Sequence, residues 1–166
     1  MSLDDWRALG EDTSQRYELA QGVLIVSPRP RLRHQRALSR LLLQLATRMP
    51  SGLESVCEPD VVVSDRPATV RVPDVVVCRR DQDAILSGTD VLVAVEILSP
   101  GSRRTDLVTK RTEYAAAGVE HYWIVDVDAH RMLALTLVDG IYVGDWTDGA
   151  FTASSPFEVS IDLTAL

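Results

Sequence analysis

The chain has 166 residues, of which 46% are hydrophobic and 25% are charged, and its formal net charge at pH 7 is −7. These values are typical of a soluble globular protein, and the length suits one domain, residues 1–166. The negative charge argues against a general nucleic-acid binder, which usually carries a basic field. No apolar run approaches the ~20 residues that span a bilayer, and the acidic N-terminal residues are unlike a signal peptide, so we expect a cytoplasmic protein.

The first third of the chain predicts a helix, a hairpin and a second helix. Residues 3–9 suit a short amphipathic helix, and residues 17–26 suit a hairpin that turns at Gln21-Gly22. Leucines at three- and four-residue spacing predict an amphipathic helix over residues 32–48. His34 lies in its first turn, where a lone histidine is more often a surface or capping group than a catalyst.

Two predicted apolar strands in the middle of the chain each contain a carboxylate side chain. Strands are predicted over residues 55–63 and 70–78, and Asp74 precedes three valines in the second of them. The strand over residues 91–98 is apolar except for Glu96, which suits the covered middle of an α/β sheet. A buried carboxylate costs several kcal/mol unless it is paired, protonated or bound to a cation. These two acids are therefore the first candidates for a functional site.

A helix follows the turn that begins at Ser99. It is predicted over residues 105–117, and Asp106, Lys110 and Tyr114 recur every four residues on one of its faces. An exposed Asp106–Lys110 ion pair worth ~0.3–0.5 kcal/mol is the simplest interpretation. The strand over residues 121–126 comes directly after this helix, which predicts parallel pairing with the strand before it. Asp-Gly turns in the remaining residues predict antiparallel strands.

The basic residues are almost all arginine, and many of them lie in two clusters. Of the 17 basic residues, 16 are arginine and Lys110 is the only lysine, so a compact ammonium stands out at this position. Two clusters suit either a basic rim on an acidic body or ordinary solvated helix faces. They are Arg29, Arg31, Arg33, Arg36 and Arg40, and then Arg103, Arg104, Lys110 and Arg111.

A metal ion would explain the two buried acids. If strands 70–78 and 91–98 are neighbours, Asp74 and Glu96 converge, and Mg²⁺ or Mn²⁺ between them relieves their repulsion. The backbone carbonyl of Ile97 is a natural further ligand. Such an ion activates water and stabilises charge on a phosphate, and Lys110 adds a point charge near the phosphate. Glu18 could supply an outer or second-metal carboxylate.

Several motifs together resemble a known family. They are YELAQG (17–22), His34, PDVVV (73–77), VAVEILSP (93–100), D-x-x-x-K-x-x-x-Y (106–114) and GVEHYWIVD (118–126). In this order and spacing they resemble the Uma2 family, also called DUF820, of the PD-(D/E)XK nuclease superfamily. The resemblance implies an α/β, restriction-endonuclease-like fold: a central mixed sheet flanked by helices, with additional antiparallel strands at the C-terminus.

The resemblance also implies a Mg²⁺-dependent endonuclease site. Asp74 matches the aspartate of the PD motif, Glu96 matches the acidic residue of (D/E)XK, and Glu18 matches the acid of the YEL motif. Leu98 occupies the usual lysine position, so the lysine is relocated to Lys110. His34, Ser99, Asp106 and Tyr114 are expected in supporting places.

Three functions remain open at this stage. The first is a DNA endonuclease, for which a homodimer would suit cleavage of both strands. The second is a catalytically weak or inactive protein of the same fold that binds nucleic acid or another protein. The third is a metal-dependent phosphoesterase with a small-molecule substrate. Fold alone does not choose between them.

Overall fold

The structure is a computed structural model that describes residues 1–9, 15–28, 30–80 and 85–166. Arg29, one of the clustered arginines, lies outside the described residues. The helices are α1 (Leu3–Arg7), α2 (Leu32–Ala46) and α3 (Lys110–Ala117). The strands are β1 (Arg16–Ala20), β2 (Val23–Ser27), β3 (Leu53–Cys57), β4 (Val61–Asp65), β5 (Ala68–Arg71), β6 (Val75–Arg79), β7 (Leu86–Ser87), β8 (Val91–Ile97), β9 (His121–Asp126), β10 (Arg131–Val138), β11 (Ile141–Val143), β12 (Trp146–Asp148), β13 (Ala150–Ala153) and β14 (Val159–Asp162).

Two large sheets and a small hairpin make up the β structure. One sheet has five strands in the order β2-β1-β5-β4-β7. The other has the order β11-β10-β9-β8-β6-β3, with β12 beside β10, and it is mixed because β8 and β9 run parallel. The antiparallel pair β13–β14 forms the hairpin near the C-terminus. The predicted fold class, a mixed α/β architecture with extra antiparallel strands, is confirmed.

Two predicted strands are each divided between the two sheets. The prediction over residues 55–63 becomes β3 and β4, and that over residues 70–78 becomes β5 and β6. Pro59 and Pro73 lie at the two breaks, and proline cannot donate a hydrogen bond to a sheet ladder. The chain therefore passes from one sheet to the other just before Asp74.

The seven-stranded sheet has an apolar layer on each face. Val75 and Val77 pack with Leu41 and Leu45 of α2 on one face. Alternate residues of the same strands, including Val76 and Ala94, pack with Tyr114 of α3 on the other face. Because side chains alternate along a strand, Glu96 belongs to the α3 face, and Asp74 lies just before β6 at the end of the sheet. Among the described residues, no helix is long and apolar enough to cross a membrane.

Candidate active site

The junction between the two large sheets holds the acids that the sequence singled out. β6 pairs antiparallel with β8, with Val75 opposite Val95, and the same register places Asp74 opposite Glu96. Both are buried, with exposed fractions of 1% and 2%. Directly opposed residues have Cβ atoms ~4.5–5.5 Å apart, so two charged carboxylates here repel unless something neutralises them.

Asp74 is held by one cation, one histidine and one backbone amide. Its Oδ1 accepts a hydrogen bond from Arg16 Nη1 at 2.9 Å, and its Oδ2 accepts from the Ile97 N–H at 2.7 Å. The Nε2 atom of His34, in the first turn of α2, lies 3.1 Å from the same Oδ2. Burial alone would raise the pKa of Asp74, but the hydrogen bond with His34 and the charge of Arg16 lower it below its usual value. The aspartate therefore stays ionised.

Glu96 is held by the single lysine and a tyrosine. Its Oε1 accepts hydrogen bonds from Lys110 Nζ at 2.7 Å and from the Tyr114 hydroxyl at 3.1 Å. Burial raises the pKa of Glu96 to about 8 in spite of Lys110. Burial also works against the ammonium, but the charges of the surrounding carboxyl groups, led by Glu96, outweigh it and raise the pKa of Lys110. The lysine is therefore a fixed positive charge inside the site.

Lys110 and Asp106 do not form the exposed ion pair that the sequence also allowed. Their exposed fractions are 4% and 1%, and Lys110 Nζ lies 3.5 Å from Asp106 Oδ1. Neither carboxylate oxygen of Asp106 has a hydrogen bond of ordinary geometry within the described part of the chain. Burial raises the pKa of Asp106, against the effects of Lys110 and Ser102. Thr105–Thr109 form one π-helical turn, in which the Lys110 N–H donates to the Thr105 carbonyl, and α3 follows it directly.

Glu18 connects the lysine to a second buried cation. One of its oxygens lies 3.1 Å from Lys110 Nζ, and the other accepts from Arg71 Nη1 at 3.1 Å. Arg71 also donates two hydrogen bonds to Glu113 of α3, at 2.7 and 2.8 Å. Although burial alone would raise the pKa of Glu18, the charges of Lys110 and Arg71 lower it. This chain of ion pairs fixes the position of the Lys110 ammonium.

The structure brings together most of the residues predicted for the site. Asp74 and Glu96 lie opposite each other, and Lys110 contacts Glu96 together with Glu18. Of the supporting residues, His34, Asp106 and Tyr114 lie in this network. Ser99 does not: its hydroxyl is 2.9 Å from that of Ser102, and it shapes the turn after β8.

Three charged residues of the network were missed by sequence reasoning: Arg16, Arg71 and Glu113. Arg71 could have been found by the argument applied to Glu96, since it is a charge in the apolar run VRVP. Glu113 follows Lys110 by three residues, which places it near the same helix face. Nothing in the local sequence marks Arg16, which reaches Asp74 across 58 residues of chain.

The donors present fit a hard divalent cation in type and number. Mg²⁺ is usually bound by one or two carboxylates and completes its shell with water and phosphate oxygens. Asp74 and Glu96 supply two carboxylates. Burial raises the pKa of Glu96, so a cation bound beside this side chain would help it to ionise. No cluster of three or more His, Cys, Asp or Glu residues with metal-binding geometry occurs in the ranges that the structure describes. Arg16 now provides a positive charge at Asp74, so it would share or yield this position.

Comparison with known proteins identifies the family of this chain and a protein of similar fold. The sequence profile of Uma2, described as "Putative restriction endonuclease", matches residues 3–163. The chain belongs to the Uma2 family. A crystal structure described as "a putative nuclease belonging to DUF820" from Anabaena variabilis ATCC 29413 superposes with a TM-score of 0.72 at 18% identity, covering 94% of this chain and 89% of that one. No curated protein matches.

At 18% identity the structural similarity to the Anabaena protein establishes the fold of this Uma2 chain and no more than the fold. The family description adds a nuclease of restriction-endonuclease type.

Proposed function

We propose that this Uma2 protein is a metal-dependent endonuclease that hydrolyses phosphodiester bonds in DNA. The observation that carries the proposal is the pair of buried carboxylates, Asp74 and Glu96. Asp74 accepts a hydrogen bond from the N–H of Ile97, the residue after Glu96, and the Lys110 ammonium lies 2.7 Å from Glu96. Two carboxylates and a lysine at a sheet junction are what a phosphodiesterase needs to hold a cation and stabilise a phosphate. We expect the enzyme to act in the cytoplasm, as a homodimer where both strands are cut.

In this proposal each residue has a separate task. Asp74 and Glu96 would hold Mg²⁺ or Mn²⁺, together with the Ile97 carbonyl. The ion, when bound, would lower the pKa of a water and offset charge on the phosphate oxygens. Lys110 would hold its ammonium beside the reacting phosphate, because Glu18 and Asp106 fix it from the other sides. Tyr114 would keep Glu96 in one orientation through its hydroxyl hydrogen bond.

The test is nicking of supercoiled plasmid with Mg²⁺ or Mn²⁺. Asp74→Asn and Glu96→Gln keep the size of each side chain and remove its charge, and we expect each to lower cleavage by roughly 10²-fold or more. Asp65→Asn, at an exposed position at the end of β4, is the matched control and should cleave like the wild type. Metal binding by isothermal titration should weaken in the two site variants alone. Equal cleavage by wild type and Asp74→Asn would contradict the proposal.

One observation favours a second candidate, a protein of this fold that binds nucleic acid or a protein partner without cutting. Asp74 is already paired with Arg16, and Glu96 with Lys110, so each acid has a protein partner in the absence of a metal ion. This candidate predicts DNA binding with no nicking under either metal. The same plasmid assay, combined with a binding measurement, therefore separates the two functions.

A further inference from the structure

Exposed arginines lie on α2 and in the turn after β8, two segments that border the candidate active site. We name them the basic arc: Arg31, Arg33, Arg36, Arg40, Arg103 and Arg104, all of which are exposed. Four of them belong to α2 or directly precede it. α2 contains no acidic residue, and its first turn lacks the acids that usually stabilise a helix N-terminus. Positive charge at this end of a helix is unfavourable for folding, so it calls for another explanation.

Contacts join the two parts of the basic arc. Arg33 Nη1 lies 2.5 Å from Asp128 Oδ1, in the turn that follows β9. Asp126, the last residue of β9, accepts from Arg103 Nη2 at 3.2 Å. β8 and β9 are parallel, so Asp126 and Glu96 lie toward the same edge of the sheet. Arg33 and Arg103 thus lie at the edge that carries the candidate site, and His34 in the first turn of α2 contacts Asp74. Arg36, Arg40 and Arg104 are exposed neighbours of these residues on the same two segments.

The arrangement suits an extended chain of negative charges. Arg33, Arg36 and Arg40 recur at three- and four-residue spacing on the exposed side of α2, and seven residues of helix span ~10 Å. Arg36, Arg40 and Arg104 have no ion pair with any residue in the described ranges. The overall charge of −7 does not prevent binding, because charges beyond the Debye length of ~8 Å are largely screened at physiological ionic strength.

We propose that the basic arc binds the phosphate backbone of duplex DNA beside the scissile bond. The proposal rests on the nuclease function proposed above and specifies how the substrate reaches that site. Phosphate contacts position a duplex without reading its sequence, so the arc should act on any duplex. Affinity carried by the arc should depend strongly on salt, because each neutralised phosphate releases counterions.

The experiment compares two triple variants that remove the same charge. One is Arg36→Gln/Arg40→Gln/Arg104→Gln. The control is Arg48→Gln/Arg66→Gln/Arg79→Gln, whose arginines are equally exposed but lie away from the arc. Binding of a 30-bp duplex is followed by fluorescence anisotropy in EDTA, which prevents cleavage, over a range of salt concentrations. We expect the arc variant to reduce the slope of log K against log [salt] by roughly 2–3, at ~0.9 per contact, with the control unchanged.

The other outcomes separate a failure of the inference from a failure of the nuclease function. Equal slopes for the two variants would mean that only net charge matters and would overturn it. Binding of single-stranded RNA by the arc, with the duplex slope unchanged, would also overturn it. If the wild type nicks plasmid with Mg²⁺ while the arc variant keeps the full slope, the inference fails and the nuclease function stands. If the wild type binds through the arc but never nicks, the nuclease function fails.

Discussion

Replacing Lys110 with methionine tests the electrostatic design of the site. The ammonium lies 2.7 Å from Glu96, 3.1 Å from Glu18 and 3.5 Å from Asp106, and the lysine is only 4% exposed. Methionine keeps most of the apolar stem and removes the charge, so it leaves three buried or half-buried carboxyl groups without their shared partner. Breaking a buried ion pair from one side costs ~3–5 kcal/mol. For a chain of this size each kcal/mol lowers Tm by roughly 2–4 °C, so we expect a decrease of about 6–20 °C.

The assay is thermal and urea unfolding followed by circular dichroism at pH 9, above the pKa of Glu96 of about 8, with Arg48→Met as control. This control removes a positive charge at an exposed position and should change the free energy of unfolding by no more than ~0.5 kcal/mol. The double variant Lys110→Met/Glu96→Gln should recover about 1–3 kcal/mol, because the amide no longer needs a cation. A Lys110→Met protein as stable as the control, with no recovery in the double variant, would refute the reasoning.

Two further predictions concern the acids themselves. The folded-state pKa of Glu96, about 8, exceeds its ordinary 4.5, so the stability tied to its protonation is complete below about 4.5 and is lost as pH rises through about 8. Glu96→Gln should remove up to ~5 kcal/mol of that pH dependence, and parallel unfolding curves for both proteins between pH 5 and 8 would contradict this. Arg16→Gln removes the cation 2.9 Å from Asp74 and should destabilise the metal-free protein by ~1.5–3 kcal/mol. Millimolar Mg²⁺ should restore more stability to this variant than to the wild type, and an equal effect would show that Arg16 and the metal do not share Asp74.

The sequence predicted the strands and the helix around the site, but it did not predict where the chain passes from one sheet to the other. β8, α3 and β9 follow from an apolar run, a periodic helix and a second apolar run, and their parallel pairing follows from the short connection. The division of residues 70–78 between two sheets was not predicted. Side chains point alternately to the two faces of a strand both before and after Pro73, so this pattern does not show that the chain changes sheets there. Local pattern gives the type of an element, but the sheet it joins depends on contacts far along the chain.

The same distinction applies to the site. Glu96 was found because a charge in an apolar strand is conspicuous, and Lys110 because it is the only lysine. The alternative of an exposed Asp106–Lys110 pair is excluded by the burial of both side chains, and the sequence left it open because the side of a helix that faces a sheet depends on tertiary packing. Arg16 and Arg71 come from strands of the other sheet, and their partners lie 40 or more residues away along the chain. Pairing over such distances leaves no local pattern to read.

The charges inside the junction do not balance by themselves. Five buried or half-buried acidic side chains, Asp74, Glu18, Glu96, Asp106 and Glu113, face three permanent cations, Arg16, Arg71 and Lys110, and the exposed Glu58 also lies 3.7 Å from Arg16. With His34 neutral these groups leave two negative charges, and with His34 protonated they leave one. Burial alone would lower the pKa of His34, but the hydrogen bond with Asp74 and its charge raise it. Water cannot solvate the excess charge at Glu96 and Asp106, because both are buried. Burial raises the pKa of both Glu96 and Asp106, so protons can restore the balance. A divalent cation could replace such protons, and the excess of negative charge therefore suits this junction to the proposed exchange of protons for a magnesium-like ion.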